Sequence, residues 1–102
     1  MSQPVIRISH EDLGASGRYV ALIPGQQAEA ELTWHAAGPG VIVADHTWAP
    51  DALRGTGVAA ALVERLIQDA RHKGLRIVPA CSYVRAQFLR HPDWADLRAD
   101  SA

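Results

Sequence analysis

Residues Arg54–Ala59 have the sequence Arg-Gly-Thr-Gly-Val-Ala and run directly into a long amphipathic segment. Its glycines let the backbone approach a ligand without an intervening Cβ. A helix that begins behind them leaves unpaired N–H groups and the positive end of its dipole facing outward. Because such a helix start attracts anions, and Arg54 adds a permanent cation, the stretch predicts a phosphate or pyrophosphate site. The alternative is that the glycines only mark the loop entering a surface helix.

The segment behind the glycines is predicted to be a helix that ends at Gly74. Its apolar residues recur at spacings of three and four, which builds one apolar face. Lys73 supplies a positive last turn, and Gly74 supplies the stop. The residues of the apolar face are Val58, Ala59, Leu62, Val63, Leu66, Ile67 and Ala70.

Length and composition predict one ordinary globular domain over residues 1–102. The chain has 102 residues, of which 48% are hydrophobic and 21% are charged, as in typical soluble proteins. Its formal net charge of -1 gives no electrostatic reason to bind nucleic acid or an anionic membrane. No apolar run approaches the length of about 20 residues that spans a bilayer.

Cysteine usage and the amino terminus point to the cytoplasm. Cys81 is the single cysteine, so the chain cannot form an internal disulfide, and one cysteine with scattered histidines makes no structural zinc site. We therefore expect no metal. The amino-terminal stretch Met1–Pro4 has no basic region followed by an apolar core, so a signal peptide is not expected.

Strand signals dominate the chain before the glycine loop. Alternating or β-branched segments are separated by turn residues such as Pro24-Gly25 and Gly38-Pro39-Gly40. The last segment has a nearly continuous apolar start, which is typical of a central strand. The predicted strands are Val5–Ile8, Arg18–Ile23, Ala28–Trp34 and Val41–Trp48.

The segments after the helix complete a strand–helix–strand unit. Leu75–Pro79 is predicted to be a short strand parallel to the strand that contains His46. Pro79 cannot donate a ladder hydrogen bond, so the pairing should end or splay there. Ser82–His91 is predicted to be a second helix with Ser82 as its N-cap, and Pro92 should end it. The fold class is therefore α+β (α/β): a mixed, mostly antiparallel sheet with a strand–helix–strand core and a C-terminal helix.

This arrangement resembles the acyl-CoA-binding core of the GNAT acetyltransferase superfamily, and in particular its small, single-domain YjdJ-like branch. The resemblance extends over about Arg18–Leu97, nearly the whole chain. The segments that carry it are His46-Thr47, Leu53–Ala59, Pro79–Tyr83 and Arg90–Trp94.

The resemblance implies acetyl-CoA or CoA as the cofactor and an amine as the acetyl acceptor, with a protein as one candidate acceptor. The pyrophosphate would rest on the backbone of residues 54–60, and pantetheine would lie between the strands of His46 and Ile77. Larger members have N-terminal helices that shape the acceptor pocket. This chain is too short there for such helices, so we expect an open acceptor site. The cofactor-binding residues would be Trp48, Leu53, Arg54, Gly55, Thr56, Gly57, Val58, Ala59, Ala60, Ser82 and Tyr83.

Cys81 and His46 are the candidate catalytic residues. The resemblance implies that Cys81 lies near the thioester, and a helix start lowers the pKa of a thiol there. His46, at the end of a central strand, is the candidate general base. The alternatives are an inert buried cysteine and a structural histidine. Strand alternation predicts that Asp45 faces away from His46, so that both cannot serve one site.

Other side chains are expected to be structural. Trp34, Trp94 and Phe88 should close the core, and the histidines other than His46 have no evident catalytic partner, among them His10 and His35. No tyrosine follows Tyr83, so no side chain is assigned to protonate the leaving thiolate.

Three functions compete: an acetyltransferase, a non-catalytic CoA-binding module or sensor, and a protein that binds another phosphate compound. No Gly-Lys-Ser/Thr follows the glycines, which excludes a nucleotide-hydrolysing P-loop. The expected oligomeric state is a monomer or a weak dimer formed through an exposed sheet edge.

Overall fold

The computed structural model describes residues 5–99, which form a five-stranded sheet in the order β1-β2-β3-β4-β5. The amino-terminal stretch Met1–Pro4, on which the expectation of no signal peptide rests, lies outside the described residues. The strands are β1 (Arg7–Asp12), β2 (Ser16–Leu22), β3 (Glu29–Ala36), β4 (Val41–Trp48) and β5 (Arg76–Pro79). The helices are α1 (Val58–Lys73) and α2 (Ser82–Arg90), with 3₁₀ segments at Asp51–Leu53 and Pro92–Leu97.

The sheet has the predicted mixed topology. The first four strands form an antiparallel meander, and β5 pairs with β4 in parallel after the α1 crossover. The predicted bounds of β4 are confirmed, whereas β1 begins two residues later than predicted and continues to Asp12. Hairpin pairing with β2 carries β1 past its apolar start, because Glu11 and Asp12 pair with Arg18 and Gly17.

Both helices contribute to one core on one face of the sheet, which we call the helix face. In β3 every second residue, Ala30, Leu32 and Trp34, is buried on that face, and the intervening residues lie on the other, or outer, face. The buried side of α1 is the predicted apolar face, except that Ala59 is only half-buried. Within residues 5–99, no helix combines the length and apolar character needed to cross a bilayer.

The predicted core aromatic residues are buried. Trp34, Phe88 and Trp94 all belong to the core cluster, and Phe88 meets Trp94 edge to face at 5.8 Å between ring centroids. Such an arrangement places the positive edge of one ring against the negative face of the other. These three expectations are confirmed.

A β-bulge in β4 changes the predicted orientation of Asp45. Thr33 of β3 pairs with His46, and the next β3 residue, Trp34, pairs with Ala44, so Asp45 is an extra residue without a partner across the ladder. Asp45 contacts His35 of the outer face, and His46 lies opposite Thr33 of the same face. The expectation that Asp45 and His46 face opposite sides is therefore wrong, because the bulge interrupts strand alternation between them.

The start of α2 also differs from the prediction. Cys81, with φ −73° and ψ 133°, is the N-cap, and Ser82 is already the first helical residue. The Cys81 N–H donates to the Ala44 carbonyl of β4 at 2.9 Å. This bond holds Cys81 in an extended conformation at the end of the sheet, and the chain enters the helix at Ser82, one residue earlier than Ser82 capping would require.

Candidate functional site

The loop before α1 adopts the backbone that its glycines allow. Gly55 and Gly57 have φ values of 80° and 88°, in the left-handed region that residues with a Cβ rarely adopt. A Cβ placed on either glycine would meet no atom within 4 Å. The two glycines are therefore required by backbone conformation, and the space in front of them is open.

The start of α1 leaves its first N–H groups free of helical partners. Gly57 is the N-cap and has no side chain to accept a hydrogen bond. The first helical bond runs from the Ala61 N–H to the Gly57 carbonyl at 3.0 Å, so the N–H groups of residues 58–60 have no acceptor within the helix. No acidic residue lies in the first turn to compensate the positive end of the dipole. The arrangement suits an anion.

Two side chains near the loop fix its shape and charge. The Thr56 hydroxyl donates to the Leu53 carbonyl at 2.5 Å, and the Thr56 N–H donates to the same carbonyl at 3.2 Å. The Arg54 guanidinium donates to Asp51 at 2.9 Å, but both side chains are more than four-fifths exposed. Such a surface pair contributes little, so Arg54 can exchange Asp51 for a bound anion at small cost.

A cavity of about 280 Å³ lies over the loop. The structure thus brings together eight of the eleven residues predicted to bind the cofactor. Thr56, Ser82 and Trp48 do not line this cavity; Trp48 is 52% exposed and belongs to the outer face, opposite Glu31. The lining consists of Ala49, Pro50, Leu53, Arg54, Gly55, Gly57, Val58, Ala59, Ala60 and Tyr83.

The sheet splits beside this cavity. The register of β4 and β5 ends at Ala44 opposite Pro79, and the Cys81 N–H then takes the Ala44 carbonyl. Beyond that point β4 continues from Asp45 to Trp48 without β5. The predicted end of pairing at Pro79 is confirmed, and it leaves one edge of β4 with strand backbone that an extended ligand can bind.

Cys81 lies at the point of the split. Its Sγ is 3.4 Å from the Thr47 hydroxyl, on the helix face of the sheet. Partial burial acts to raise the pKa of the Cys81 thiol, but the Thr47 hydroxyl and the backbone N–H groups of Val84 and Tyr83 outweigh it, so the pKa lies below its ordinary value. A lowered pKa increases the thiolate fraction of this half-buried thiol at neutral pH.

His46 does not share the face of Cys81. Its neighbour Thr47 lies opposite Leu32 on the helix face, whereas His46 lies opposite Thr33 on the outer face, where it is exposed. Among residues 5–99, no carboxylate forms an ion pair with the His46 imidazole. The structure thus brings Cys81 to the split and leaves His46 on the other side of β4.

Two histidines that the sequence left without partners have them in the structure. His35 Nδ1 lies 2.8 Å from a carboxylate oxygen of Asp45. His10 accepts a hydrogen bond from Trp34 Nε1 at 3.0 Å and stacks on Tyr19 at 4.0 Å between ring centroids. No local signal predicts these contacts, since His10 and Trp34 are 24 positions apart and the His35 contact depends on the bulge.

Comparison with known proteins shows the family of the chain. The sequence model of the GCN5-related N-acetyltransferases matches residues 18–97. The chain belongs to this family. The chain is therefore an acetyltransferase by family, and acyl transfer is its reaction type. This confirms the GNAT resemblance, which was based on the loop, the Cys81 segment and the His-Pro-Asp-Trp segment. Its assignment to the YjdJ-like branch stays a prediction.

A solved structure supports the fold independently. The NMR solution structure of a GCN5-like protein from Staphylococcus aureus superposes with a TM-score of 0.68 at 24% sequence identity. The match covers 100% of this chain and 94% of that one. At this identity the likeness establishes the family's fold for this chain, including the mixed sheet and the strand–helix–strand core.

The described residues offer no metal site. Between residues 5 and 99, no three side chains of His, Cys, Asp or Glu lie together in a way that would hold a metal ion.

Proposed function

We propose that the protein transfers an acetyl group from acetyl-CoA to an amine. The observation that carries the proposal is the coincidence of an uncapped α1 start with the split of β4 from β5. The first feature suits a pyrophosphate, and the second suits an extended chain that bonds to strand backbone. Membership of the N-acetyltransferase family supports acetyl-CoA as the ligand, because acetyl-CoA has both parts.

The residues present fit acetyl-CoA. The free N–H groups of residues 58–60 and the loop glycines would hold the pyrophosphate, with Arg54 as counter-charge. Leu53 and Tyr83 would form apolar walls, and the unpaired edge of β4 up to Trp48 would bond pantetheine amides. Thr56 shapes the loop through its bond to Leu53, and Ser82 opens the helix that follows Cys81. When bound, acetyl-CoA supplies an activated acetyl thioester.

Cys81 is the side chain that we assign to the acyl step. Its lowered thiol pKa and its position at the split support a role as the acetyl acceptor that precedes the amine. The Thr47 hydroxyl and the first N–H groups of α2 would stabilise the thiolate before and after the transfer. The role of His46 as the general base stays a prediction. Its side chain lies on the outer face of β4, not on the face of Cys81.

The first test is a thermal melt with acetyl-CoA, CoA, ATP and NAD. A ligand at about 100 times its Kd stabilises the folded state by about 2.7 kcal/mol, which raises Tm by about 10 °C in a domain of this size. We expect such a shift with acetyl-CoA and CoA alone. Equal shifts with ATP would favour another phosphate ligand, and no shift would overturn cofactor binding.

The second test follows the acyl group. With labelled acetyl-CoA, Cys81→Ser should remove the label from the protein while the melt with CoA keeps its shift. Unchanged labelling would remove Cys81 from the mechanism. CoA binding without transfer to any amine would identify the protein as a CoA-binding module. We also propose a cytoplasmic location, on the grounds of the single unpaired cysteine.

A further inference from the structure

A second cavity, of about 230 Å³, lies beside the C-terminal half of α1, at the opposite end of the helix from the glycine loop. Leu66, Ala70 and Lys73 of α1 form one side of it, and Trp34 and Ile42 of the sheet form the other. It shares no lining residue with the cavity over the loop, and the 16 residues of α1 span about 24 Å between the two ends. It is therefore a separate space that plays no part in holding the cofactor.

This cavity is large and open enough for a small ring. Its lining includes Gly14 of the β1–β2 turn and Gly38 and Gly40 of the β3–β4 turn. These residues have no side chain that could cover the cavity, and a Cβ built on any of them would meet no atom within 4 Å. An engineered apolar cavity of about 150 Å³ binds benzene, so this larger space has room for one ring of that size.

One polar atom on the cavity wall has no hydrogen-bond partner among residues 5–99. His10 Nε2 accepts a hydrogen bond from Trp34 Nε1 at 3.0 Å, so the neutral imidazole carries its proton on Nδ1. Asp69 Oδ2 is 3.9 Å from Nδ1, which is too far for a hydrogen bond. That oxygen accepts the Tyr19 hydroxyl at 2.8 Å and keeps a second lone pair. The wall therefore presents a donor and an acceptor with a gap between them.

A hydroxyl group fits this gap. Its oxygen can lie about 2.8 Å from both His10 Nδ1 and Asp69 Oδ2, accepting a proton from the first and donating its own to the second. A carbonyl oxygen can only accept, and an ammonium group can only donate, so neither bonds to both wall atoms. The gap thus selects a group that is donor and acceptor at once.

The charges on the wall are already paired with one another. The Lys73 ammonium lies 4.0 Å from Asp12, and the Arg65 guanidinium donates to Asp69 at 3.2 Å. Burial, followed by the charge of Lys73, lowers the pKa of His10 below its ordinary value, which keeps the imidazole neutral at neutral pH. No unpaired charge is left to attract an ion, so the cavity suits an uncharged molecule.

We propose that this cavity is a binding site for a small neutral molecule of the phenol class, a single ring that carries one hydroxyl group. The ring lies against Leu66 and Ala70 of α1 and Ile42 of the sheet. The hydroxyl bridges His10 Nδ1 and Asp69 Oδ2. The inference stands apart from acetyl transfer, because the cavity lies at the other end of α1 and needs no cofactor.

The test titrates the protein with phenol and with toluene, which has a methyl group in place of the hydroxyl. The chain has three tryptophans, and of these only Trp34 lines the cavity. Phenol should therefore shift the indole N–H resonance of Trp34 in NMR spectra and leave those of Trp48 and Trp94 in place. We expect a Kd for phenol about tenfold lower than that for toluene, because bound toluene leaves the His10 N–H without an acceptor.

Two neighbouring alanines supply the variants. Ala36 and Ala37 are both exposed, but only Ala36 lines the cavity. Ala36→Leu should crowd the site and raise the Kd for phenol by about tenfold. The matched control Ala37→Leu adds the same atoms outside the cavity and should bind phenol like the wild type. A thermal melt of both variants checks that they fold.

Three results would overturn the inference. If phenol near its solubility limit leaves the Trp34 resonance unshifted, the gap between His10 and Asp69 holds ordered water only. If phenol and toluene bind equally, the hydroxyl bridge does not form. If Ala36→Leu and Ala37→Leu bind phenol equally, the ligand lies elsewhere. Because phenol binding is measured without acetyl-CoA, failure of acetyl-CoA to bind would overturn the proposed function and leave this site standing.

Discussion

The two ends of α1 each have a glycine with positive φ, Gly57 before the helix at 88° and Gly74 after it at 69°. After the helix, the Gly74 N–H bonds to the carbonyls of the last turn, and the Leu75 N–H donates to Ala70 at 2.8 Å. Before the helix, no side chain caps the first N–H groups. A glycine with positive φ thus accompanies a capped helix end at Gly74 and an uncapped helix start at Gly57.

The surroundings of the two ends differ in the same way. Beside the C-terminal half of α1, the Tyr19 hydroxyl donates to Asp69 at 2.8 Å, and the Trp34 indole donates to His10 at 3.0 Å. These polar groups satisfy one another between the helix and the sheet. At the N-terminal end the neighbours are a solvent-exposed Arg54 and the cavity over the loop, whereas the cavity of about 230 Å³ beside the C-terminal half is lined by these mutually bonded groups. Changes at one end should therefore alter affinity, and changes at the other should alter stability.

The largest expected effect is that of Gly57→Glu on CoA binding. A carboxylate beside the pyrophosphate site, on a residue forced to positive φ, should raise the Kd for CoA by about 100-fold, or about 2.8 kcal/mol. The backbone strain should also cost about 1–2 kcal/mol of folding stability. Isothermal titration with CoA gives the first quantity, and urea unfolding gives the second.

Gly74→Ala is the matched control for that prediction. It imposes the same kind of backbone strain at the closed end of α1, and a Cβ there also meets no atom within 4 Å. It should lower stability by about 1–2 kcal/mol and leave the Kd for CoA unchanged. Equal losses of affinity in both variants would contradict our placement of the pyrophosphate.

A smaller effect is expected from Tyr19→Phe at the closed end. Loss of the hydrogen bond to the Asp69 carboxylate should lower the free energy of unfolding by about 1.5 kcal/mol, with no change in CoA affinity. Urea unfolding measures the loss. Tyr83→Phe is the control, since within residues 5–99 no hydrogen bond to its hydroxyl is present, and it should stay within about 0.5 kcal/mol of the wild type. Equal losses in the two variants would show that the Asp69 bond adds nothing.

The smallest effect concerns pH. Burial, followed by the nearby charge of Lys73, lowers the pKa of His10 from its ordinary value of 6.5, although Asp12 and Asp69 act in the opposite direction and Arg65 adds to the lowering. As pH falls through 6.5, the unfolded chain therefore takes up a proton before the folded one. Stability from His10 is present above this pH and is lost below it.

Urea unfolding at about pH 7.5 and about pH 5.5 checks this sign. The wild type should lose more stability on acidification than His10→Gln, which has no imidazole to protonate. The hydrogen bond from the Trp34 indole also requires an unprotonated His10 Nε2, so protonation of His10 should again lower the stability. An equal pH dependence in the two proteins would remove His10 as a cause.

Local patterns in the sequence are sufficient to predict the elements that flank the glycine loop. The apolar periodicity of Val58–Lys73 and the glycine after it predict α1 with its bounds, because helix period and capping are short-range properties. The apolar run Val41–Trp48 likewise predicts β4, and the crossover predicts its parallel pairing with β5. The free N–H groups of residues 58–60, behind the N-cap Gly57, are predicted by the same local pattern.

The side chains around the split were harder to predict. Cys81 was placed near a helix start, but its role as the N-cap depends on a bond to Ala44 in another strand. The faces of Asp45 and His46 were misjudged because a bulge has no clear sequence signal. The partner of His35 was missed for the same reason.

The order of the elements, the glycine loop with its uncapped helix start, and the family of the chain all follow from the amino-acid sequence alone. These features depend on residues close together in the sequence, because backbone sterics and hydrophobic periodicity determine the local secondary structure. The side-chain contacts, in contrast, require the tertiary structure: Cys81 meets Thr47, His35 meets Asp45, and His10 meets Trp34. Those contacts join strands and helices distant in sequence, and their partners are fixed by ladder register, which a single extra residue in β4 is enough to change.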